Sequence, residues 1–111
     1  PVLITGGAGF IGSNIADALA AQGHRVRIYD ALSRPGVERN LAWLQQRHGV
    51  RIESVTADIR DEAVLAEATR DAKAVFHMAA QVAVTTSMAE PREDFEINIA
   101  GTLNLLEALR A

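Results

Sequence analysis

Short apolar runs and amphipathic stretches alternate along this chain, and the alternation predicts four strands and four helices. Apolar runs typical of strands lie at 2–4, 25–30, 50–55 and 74–78. Stretches with apolar residues every three to four positions lie at 11–21, 38–48, about 61–69 and from about 91 onward. Because strands and helices alternate, right-handed crossovers favour an α/β fold with a parallel sheet ordered 3-2-1-4 and helices on both faces.

The first apolar run leads directly into a glycine-rich turn, Thr5 to Gly12, which opens the first predicted helix. Its Gly7-x-Gly9-x-x-Gly12 spacing fits the turns that bind dinucleotides, and a Gly6-x-x-Gly9-x-x-Gly12 spacing runs through the same turn. A pyrophosphate must approach the unpaired N–H groups and the positive dipole end of a helix, and a Cβ on the turn would hold it away. The last glycine of the motif lets helix and strand pack closely. With a strand before it and a helix after it, the turn predicts a dinucleotide-binding Rossmann fold.

Composition narrows the class of protein further. The chain has 111 residues, enough for one domain, and its core must be aliphatic because 49% of residues are apolar but only 5% are aromatic. A net charge of -3 argues against binding to nucleic acid or an anionic membrane. The absence of cysteine excludes disulfides and thiolate metal sites. No apolar run reaches the roughly 18 residues that a membrane span needs, so we expect a cytoplasmic protein.

Two carboxylates at predicted strand ends are candidates for contacts with a dinucleotide. Asp30 ends the second strand about 20 residues beyond the glycine turn, where a carboxylate can accept from an adenosine ribose. Asp30 could instead cap a turn, but the glycine motif favours the ribose. Nearby Arg34 could hold the 2′-phosphate of NADP, but the negative charge of Asp30 would repel that phosphate. The sequence therefore favours NAD over NADP. Asp58 could accept from an adenine amino group while Ile59 covers the ring. Spacing leaves it equally possible that Asp58 caps the next helix, with Asp61 as the competing cap.

The end of the fourth strand and the last helix hold further candidates. His77 closes an apolar strand, and a lone histidine there is more often a buried structural group than a catalyst. Small residues at Ala79 and Ala80 would let the backbone meet a cofactor. Asn98 and Gly101 are poor helix formers within a helical pattern, which suggests a close approach to the strand or the cofactor.

Three consecutive hydroxyls follow in the long connection before the last helix. Thr85, Thr86 and Ser87 could form a polar turn. They could also contact a substrate or a nicotinamide ribose.

Taken together, these motifs resemble the N-terminal half of an extended short-chain dehydrogenase/reductase. The resemblance covers the whole chain and is carried by Thr5 to Gly12, Asp30, Asp58-Ile59, residues 77–81 and residues 98–102. Within that superfamily the chain is most similar to the CDP-tyvelose (CDP-paratose) 2-epimerases. The segments that carry this closer similarity are 32–34, 40–44, 81–87, 94–98 and 104–107.

The resemblance implies a bound NAD and a nucleotide-sugar substrate, which for this subfamily is a CDP-linked dideoxyhexose. The implied cofactor-binding residues are Gly6, Gly9, Phe10, Ile11, Gly12, Asp30, Leu32, Ser33, Arg34, Asp58, Ile59, Ala79, Ala80, Gln81 and Asn98, and the implied substrate-binding residues are Thr85 and Thr86. The implied reaction oxidises a sugar hydroxyl to a ketone and returns the hydride to the opposite face. A nucleotide-sugar 4,6-dehydratase, a UDP-glucose 4-epimerase and a non-catalytic NAD-binding module are the alternatives. The full-length enzyme is expected to be a homo-oligomer.

The catalytic Tyr-x-x-x-Lys motif of the superfamily has no counterpart in these residues. The one tyrosine, Tyr29, lies in the second strand, and the one lysine, Lys73, precedes the fourth. The chain also starts at Pro1, at the edge of a strand, and stops at Ala111 within a helical pattern. We therefore expect residues 1–111 to be the N-terminal part of a Rossmann domain whose remaining strands and substrate domain lie elsewhere, and we expect this part to be inactive alone.

Overall fold

A computed structural model describes residues 1–79, residue 92 and residues 96–110 of the chain. The strands are β1 (Val2–Thr5), β2 (Val26–Asp30), β3 (Ile52–Thr56) and β4 (Ala74–His77). The α-helices are α1 (Phe10–Ala21), α2 (Val37–His48), α3 (Glu62–Thr69) and α4 (Gly101–Arg110), and a π-helical segment, Glu96–Ala100, leads into α4. None of the helices in these described ranges is long and apolar enough to cross a bilayer.

The four strands form one parallel sheet in the order β3-β2-β1-β4, as the sequence predicts. Val2 at the start of β1 lies opposite Val26 and Ala74. Thr5 at its end lies opposite Tyr29 and His77. The carboxyl ends of β1, β2 and β4 therefore meet at one edge of the sheet. The winding reverses between β1 and β4, and crevices at such switch points are where open α/β sheets bind ligands.

Helices cover both faces of the sheet, which confirms the predicted layering. Side chains that alternate along β1 and β2 point to opposite faces, so Ile4 and Ile28 pack in one cluster and Leu3 and Tyr29 in the other. The first cluster takes in residues of α1 and α2, including fully buried Leu44. The second takes in residues of α3 and α4. The central strand β1 is buried along its whole length. Because the glycine turn directly follows β1, it lies in the middle of the sheet edge.

The third strand begins later than its alternating pattern predicts. Residues Gly49–Arg51 form a short 3₁₀ turn, and Val50 is 93% exposed. Gly49 has a φ of +58°, a left-handed conformation that ends α2 and delays the strand until Ile52.

The sequence pattern places apolar residues on one side of the last helix, and that side is exposed. Ile99, Leu103, Leu106 and Leu109 are 44–60% exposed, whereas Leu105 is buried in the second core cluster. The opposite side of the helix holds buried Gly101 and packs in the second core cluster through Leu105 and Ala108, together with Ile97 in the preceding π-helical segment. The predicted start of this helix near residue 91 lies outside the described residues.

Candidate functional site

The glycine turn connects β1 to α1 through a tight reversal of the backbone. Gly6 takes a φ of +67°, which favours glycine, and its N–H donates to the Tyr29 carbonyl at 2.7 Å. The Gly9 N–H donates to the Gly6 carbonyl at 3.1 Å, and the Ser13 N–H donates to the Gly9 carbonyl at 2.9 Å. The turn thereby places the first residue of α1, Phe10, directly beyond the carboxyl end of β1.

The glycines of the turn serve different purposes. A Cβ on Gly12 would lie 2.4 Å from the Gly6 carbonyl oxygen, and one on Gly6 would lie 2.7 Å from the Met78 carbonyl carbon. These two glycines are therefore required by the packing of the protein itself. A Cβ on Gly9 would meet only the Gly6 carbonyl oxygen, at 3.3 Å, and Gly9 has an ordinary φ of -72°. Its lack of a side chain keeps space free in front of the helix.

The N-terminus of α1 offers its N–H groups to a ligand. Its N-cap residue is Gly9, so no side chain caps the helix, and its first turn holds no acidic residue. Phe10 and Ile11 are 82% and 59% exposed on this first turn. The positive end of the helix dipole, the free N–H groups and the adjacent apolar side chains suit a phosphate group attached to a larger, partly apolar molecule.

Asp30 lies beside this helix end and holds the glycine turn with its carboxylate. Its Oδ2 accepts from the Ala8 N–H at 3.0 Å, and its Oδ1 accepts from the Leu32 N–H at 2.8 Å. The second contact is a turn-capping bond, the alternative role predicted for Asp30 from the sequence. Asp30 therefore caps a turn and also faces the glycine turn. Each carboxylate oxygen accepts one of these bonds, and a carboxylate oxygen has two acceptor positions. Asp30 can therefore accept a further hydrogen bond from a hydroxyl group of a ligand.

Leu32, Ser33 and Arg34, in the loop after β2, differ in exposure. Leu32 has a φ of +57°, which is rare for a branched residue, and its side chain packs partly buried against the first core cluster. Ser33 and Arg34 are exposed. A ligand beside Asp30 would therefore meet the side chains of Ser33 and Arg34 more readily than that of Leu32.

The structure separates the roles of the two aspartates near α3. Asp61 is the N-cap of α3, and its Oδ1 accepts from the Val64 N–H at 3.2 Å. The Asp58 carboxylate instead accepts from the N–H and the guanidinium of Arg60, and these bonds hold the pKa of Asp58 below its usual range. Ile59 is only 5% exposed, which leaves its backbone rather than its side chain for a contact with an adenine ring.

Substitution of Asp61 by alanine is expected to lower the free energy of unfolding by about 1 kcal/mol, the usual cost of a lost N-cap. Asp58→Ala removes only a partly exposed ion pair with Arg60, so we expect a smaller loss, about 0.5 kcal/mol. Urea denaturation of both variants of the full-length protein measures the difference. A larger loss for Asp58→Ala would contradict the assignment of the cap to Asp61.

His77 at the end of β4 is half-buried and structural, as its position in an apolar strand predicts. Its Nδ1 lies 2.6 Å from the Thr5 Oγ1, and its Nε2 lies 2.9 Å from the Thr102 Oγ1. The Ala79 N–H donates to the Thr5 Oγ1 at 3.3 Å, and Asn98 lies in the π-helical segment. The ends of β1 and β4 and the start of α4 are thus brought together.

Four of the predicted site residues lie outside the described residues: Ala80, Gln81, Thr85 and Thr86. Tyr29 is 1% exposed and donates to the Asp58 carbonyl, and burial raises its pKa to about 12. Lys73 is exposed at the opposite end of β4, where its Nζ lies 3.1 Å from the His24 Nδ1. Neither residue fits the role of a catalytic base, in agreement with the sequence interpretation.

Asn40 is a residue of this site whose role the sequence analysis missed. Its Nδ2 donates to the Ala8 carbonyl at 2.7 Å, so α2 holds the residue whose N–H Asp30 binds. Asparagine is a poor helix former, and its place within the amphipathic pattern of α2 was the available signal. The contact joins residues 32 positions apart, which no local pattern indicates.

Comparison with known proteins gives consistent matches over this whole chain. The model of the family described as GDP-mannose 4,6 dehydratase matches residues 3–111. The CDP-paratose 2-epimerase of Salmonella typhi is 46% identical over 113 residues, which cover 98% of this chain and 32% of that protein. The UDP-glucose 4-epimerase of Klebsiella pneumoniae is 39% identical, with coverage of 99% and 80%.

Solved structures agree with the fold and show the extent of the match. The UDP-glucose 4-epimerase of Stenotrophomonas maltophila, solved with bound NAD and formylated UDP-arabinopyranose, superposes with a TM-score of 0.88 at 37% identity. That match covers 98% of this chain and 33% of the epimerase. The UDP-glucose 4-epimerase of Thermus thermophilus, solved in complex with NAD, gives a TM-score of 0.81 at 40% identity, with 98% and 33% coverage. The chain thus spans about a third of the length of these solved relatives.

Proposed function

Because the chain belongs to the GDP-mannose 4,6-dehydratase family, we propose that residues 1–111 form the N-terminal, NAD-binding portion of a nucleotide-sugar epimerase. The observation that carries this proposal is the contact between the glycine turn and Asp30, whose Oδ2 lies 3.0 Å from the Ala8 N. It puts an open helix N-terminus, suited to a pyrophosphate, beside a carboxylate suited to a ribose. NAD carries these two groups next to each other.

The residues of this chain fit NAD in two further respects. Gly9 leaves open the space that a Cβ would fill in front of α1, and Phe10 and Ile11 offer exposed apolar surface beside it. In this proposal the glycine turn holds the pyrophosphate and Asp30 the adenosine ribose. The other residues proposed to contact the cofactor are Leu32, Ser33, Arg34, Asp58, Ile59, Ala79, Ala80, Gln81 and Asn98.

The proposed reaction inverts one carbon of the sugar. Bound NAD supplies a hydride acceptor and donor, so that a sugar hydroxyl can be oxidised to a ketone and then reduced from the opposite face. The residues of this chain bind and orient the cofactor. The proton transfer needs a general base, which the Tyr-x-x-x-Lys motif supplies in the superfamily, and in this proposal that motif lies in the remaining part of the enzyme.

A CDP-linked dideoxyhexose is the substrate we propose. It is supported by 46% identity to a CDP-paratose 2-epimerase, compared with 38–41% for UDP-glucose 4-epimerases and 35% for a dTDP-glucose 4,6-dehydratase. The UDP-glucose 4-epimerase activity is the second candidate, because several NAD-bound structural neighbours carry that name. Thr85 and Thr86 are proposed substrate contacts. The homo-oligomeric state and the cytoplasmic location stay predictions from the sequence.

The full-length protein, incubated with each candidate substrate and NAD, tests these assignments. We expect NMR to show a second epimer from a CDP-linked 3,6-dideoxyhexose and no change in UDP-glucose or dTDP-glucose. Interconversion of UDP-glucose and its 4-epimer would favour the second candidate, and a 4-keto-6-deoxy product would favour a dehydratase. NAD binding without turnover of any of the three would favour a non-catalytic module.

Replacement of Asp30 by alanine is expected to weaken NAD binding by about ten- to a hundredfold, because a charge-assisted hydrogen bond contributes roughly 1.5 to 3 kcal/mol. NADP binding should change less. Calorimetric titration of both cofactors into the full-length protein measures the two affinities. Glu38→Ala, which removes a carboxylate from the first turn of α2, is the control for the change in charge. Equal effects of the two substitutions, or tighter binding of NADP than NAD by the unmutated protein, would contradict the assignment.

A further inference from the structure

The imidazole of His77 joins three separate parts of the fold. Its Nδ1 lies 2.6 Å from the Oγ1 of Thr5, the last residue of β1. Its Nε2 lies 2.9 Å from the Oγ1 of Thr102, in the first turn of α4. The ring itself ends β4. Both ring nitrogens therefore have partners, and each partner belongs to a different element.

The neighbouring hydrogen bonds determine where the protons of this link lie. The Thr102 hydroxyl donates its single hydrogen to the Asn98 carbonyl at 2.7 Å, so toward His77 it can only accept, and the ring must carry its hydrogen on Nε2. The Thr5 Oγ1 already accepts from the N–H groups of Met78 at 3.1 Å and Ala79 at 3.3 Å. Its own hydrogen is therefore free to be donated to Nδ1. The neutral Nε2–H tautomer satisfies every one of these groups.

A protonated ring does not fit the same arrangement. It would carry a second N–H, on Nδ1, as a third donor directed at the Thr5 Oγ1. The hydrogen of the Thr5 hydroxyl would then have lost its acceptor, Nδ1. Burial also lowers the pKa of His77, which favours the neutral ring for an independent reason.

We propose that His77, as the neutral Nε2–H tautomer, is a positioning residue of the cofactor site. The three stretches that it joins carry proposed cofactor contacts: Gly6 follows Thr5, Ala79 lies two residues after His77, and Asn98 is held through Thr102. The inference rests on the proposed function, because its consequence is measured as NAD affinity. Histidine suits the position because one planar ring presents an acceptor and a donor on different edges, which no aliphatic side chain does.

The tight fit between the glycine turn and the end of β4 explains why such a link matters. A Cβ on Gly6 would lie 2.7 Å from the Met78 carbonyl carbon and 2.8 Å from the Ala79 nitrogen, so the two backbones are in direct contact. On the other side of the ring, the link reaches a π-helical turn, a conformation that occurs frequently at functional sites. A shift of the ring would therefore move both the turn and the segment that carries Asn98.

The tautomer can be measured directly in the full-length protein by long-range ¹H–¹⁵N NMR of the His77 ring. We expect the neutral Nε2–H form near neutral pH, both with and without NAD. An Nδ1–H tautomer or a charged ring would overturn the inference. This measurement does not depend on NAD binding, so it stands even where the proposed function fails.

Variants of Thr102 test whether the link positions the cofactor site. Thr102→Val keeps the shape but removes both the acceptor for His77 Nε2–H and the donor to the Asn98 carbonyl. We expect NAD binding to weaken at least about fivefold, the factor that corresponds to one neutral hydrogen bond. Thr102→Ser restores the hydroxyl and should bind NAD within about twofold of the unmutated protein. The matched control is Thr69→Val in α3, since Thr69 is buried and, like Thr102, donates to a helix carbonyl, that of Ala66. It should reduce stability and leave NAD affinity unchanged.

The outcomes separate this inference from the proposed function. Normal NAD binding by Thr102→Val, or an equal loss for Thr69→Val, would overturn the positioning role alone. Absence of NAD binding by the unmutated protein would overturn the proposed function and the cofactor role of His77 together.

Discussion

Gly9→Val in the full-length protein is expected to abolish NAD binding, with a loss of about a hundredfold or more, and to leave the sheet folded. The backbone of Gly9, with φ -72° and ψ 177°, suits any residue, and a Cβ there would meet only the Gly6 carbonyl oxygen, at 3.3 Å. The added side chain would instead occupy the space in front of α1 that a pyrophosphate needs. Loss of two charge-assisted hydrogen bonds, at roughly 1.5 to 3 kcal/mol each, accounts for the expected magnitude.

Calorimetric titration with NAD measures the effect of Gly9→Val, and far-ultraviolet circular dichroism checks the fold. Gly9→Ala is the graded control, because its smaller side chain should weaken binding less than valine does. Binding of NAD by Gly9→Val within about threefold of the unmutated protein would show that the turn does not contact the pyrophosphate.

Gly12→Ala should destabilise the fold itself, by about 2 kcal/mol or more. The new Cβ would lie 2.4 Å from the Gly6 carbonyl oxygen and 2.8 Å from the Gly7 Cα. These are backbone atoms that cannot rotate away, so α1 must separate from the turn, and overpacking of this kind costs about 1 to 3 kcal/mol or more. The cost exceeds the roughly 1 kcal/mol that alanine gains over glycine inside a helix.

Urea denaturation of the full-length protein measures this loss. Ala18→Gly, on the exposed side of α1, is the matched control, because it reports the helix propensity difference in the same helix without any clash. We expect it to cost about 1 kcal/mol. Stabilisation by Gly12→Ala would contradict the close packing of helix and turn.

The contrast between these glycines marks a limit of the sequence motif. Spacing predicts a dinucleotide-binding turn but assigns the same importance to Gly6, Gly9 and Gly12. The structure separates them, because Gly6 and Gly12 are held against backbone atoms of the protein whereas Gly9 is not. Two of them are therefore explained by folding, and the third is left to be explained by a ligand.

The amino-acid sequence by itself determined the fold class, the sheet order and the place of the turn. The apolar run in β1, the aliphatic core and the alternation of strands and helices are local patterns, and the handedness of crossovers turns them into a parallel sheet. The same local patterns placed Asp30 near the glycine turn, because the carboxyl ends of neighbouring parallel strands meet at one edge.

Only the tertiary structure decided which of the polar residues act on one another. Asp58 and Asp61 lie three positions apart and have the same chemistry. Asp61 is the cap only because α3 begins at the residue after it. Thr5 and His77 are 72 positions apart, and Asn40 reaches Ala8 across 32. A hydrogen bond requires that packing set the donor–acceptor distance to within a few tenths of an ångström, and periodicity along a chain carries no information about that distance.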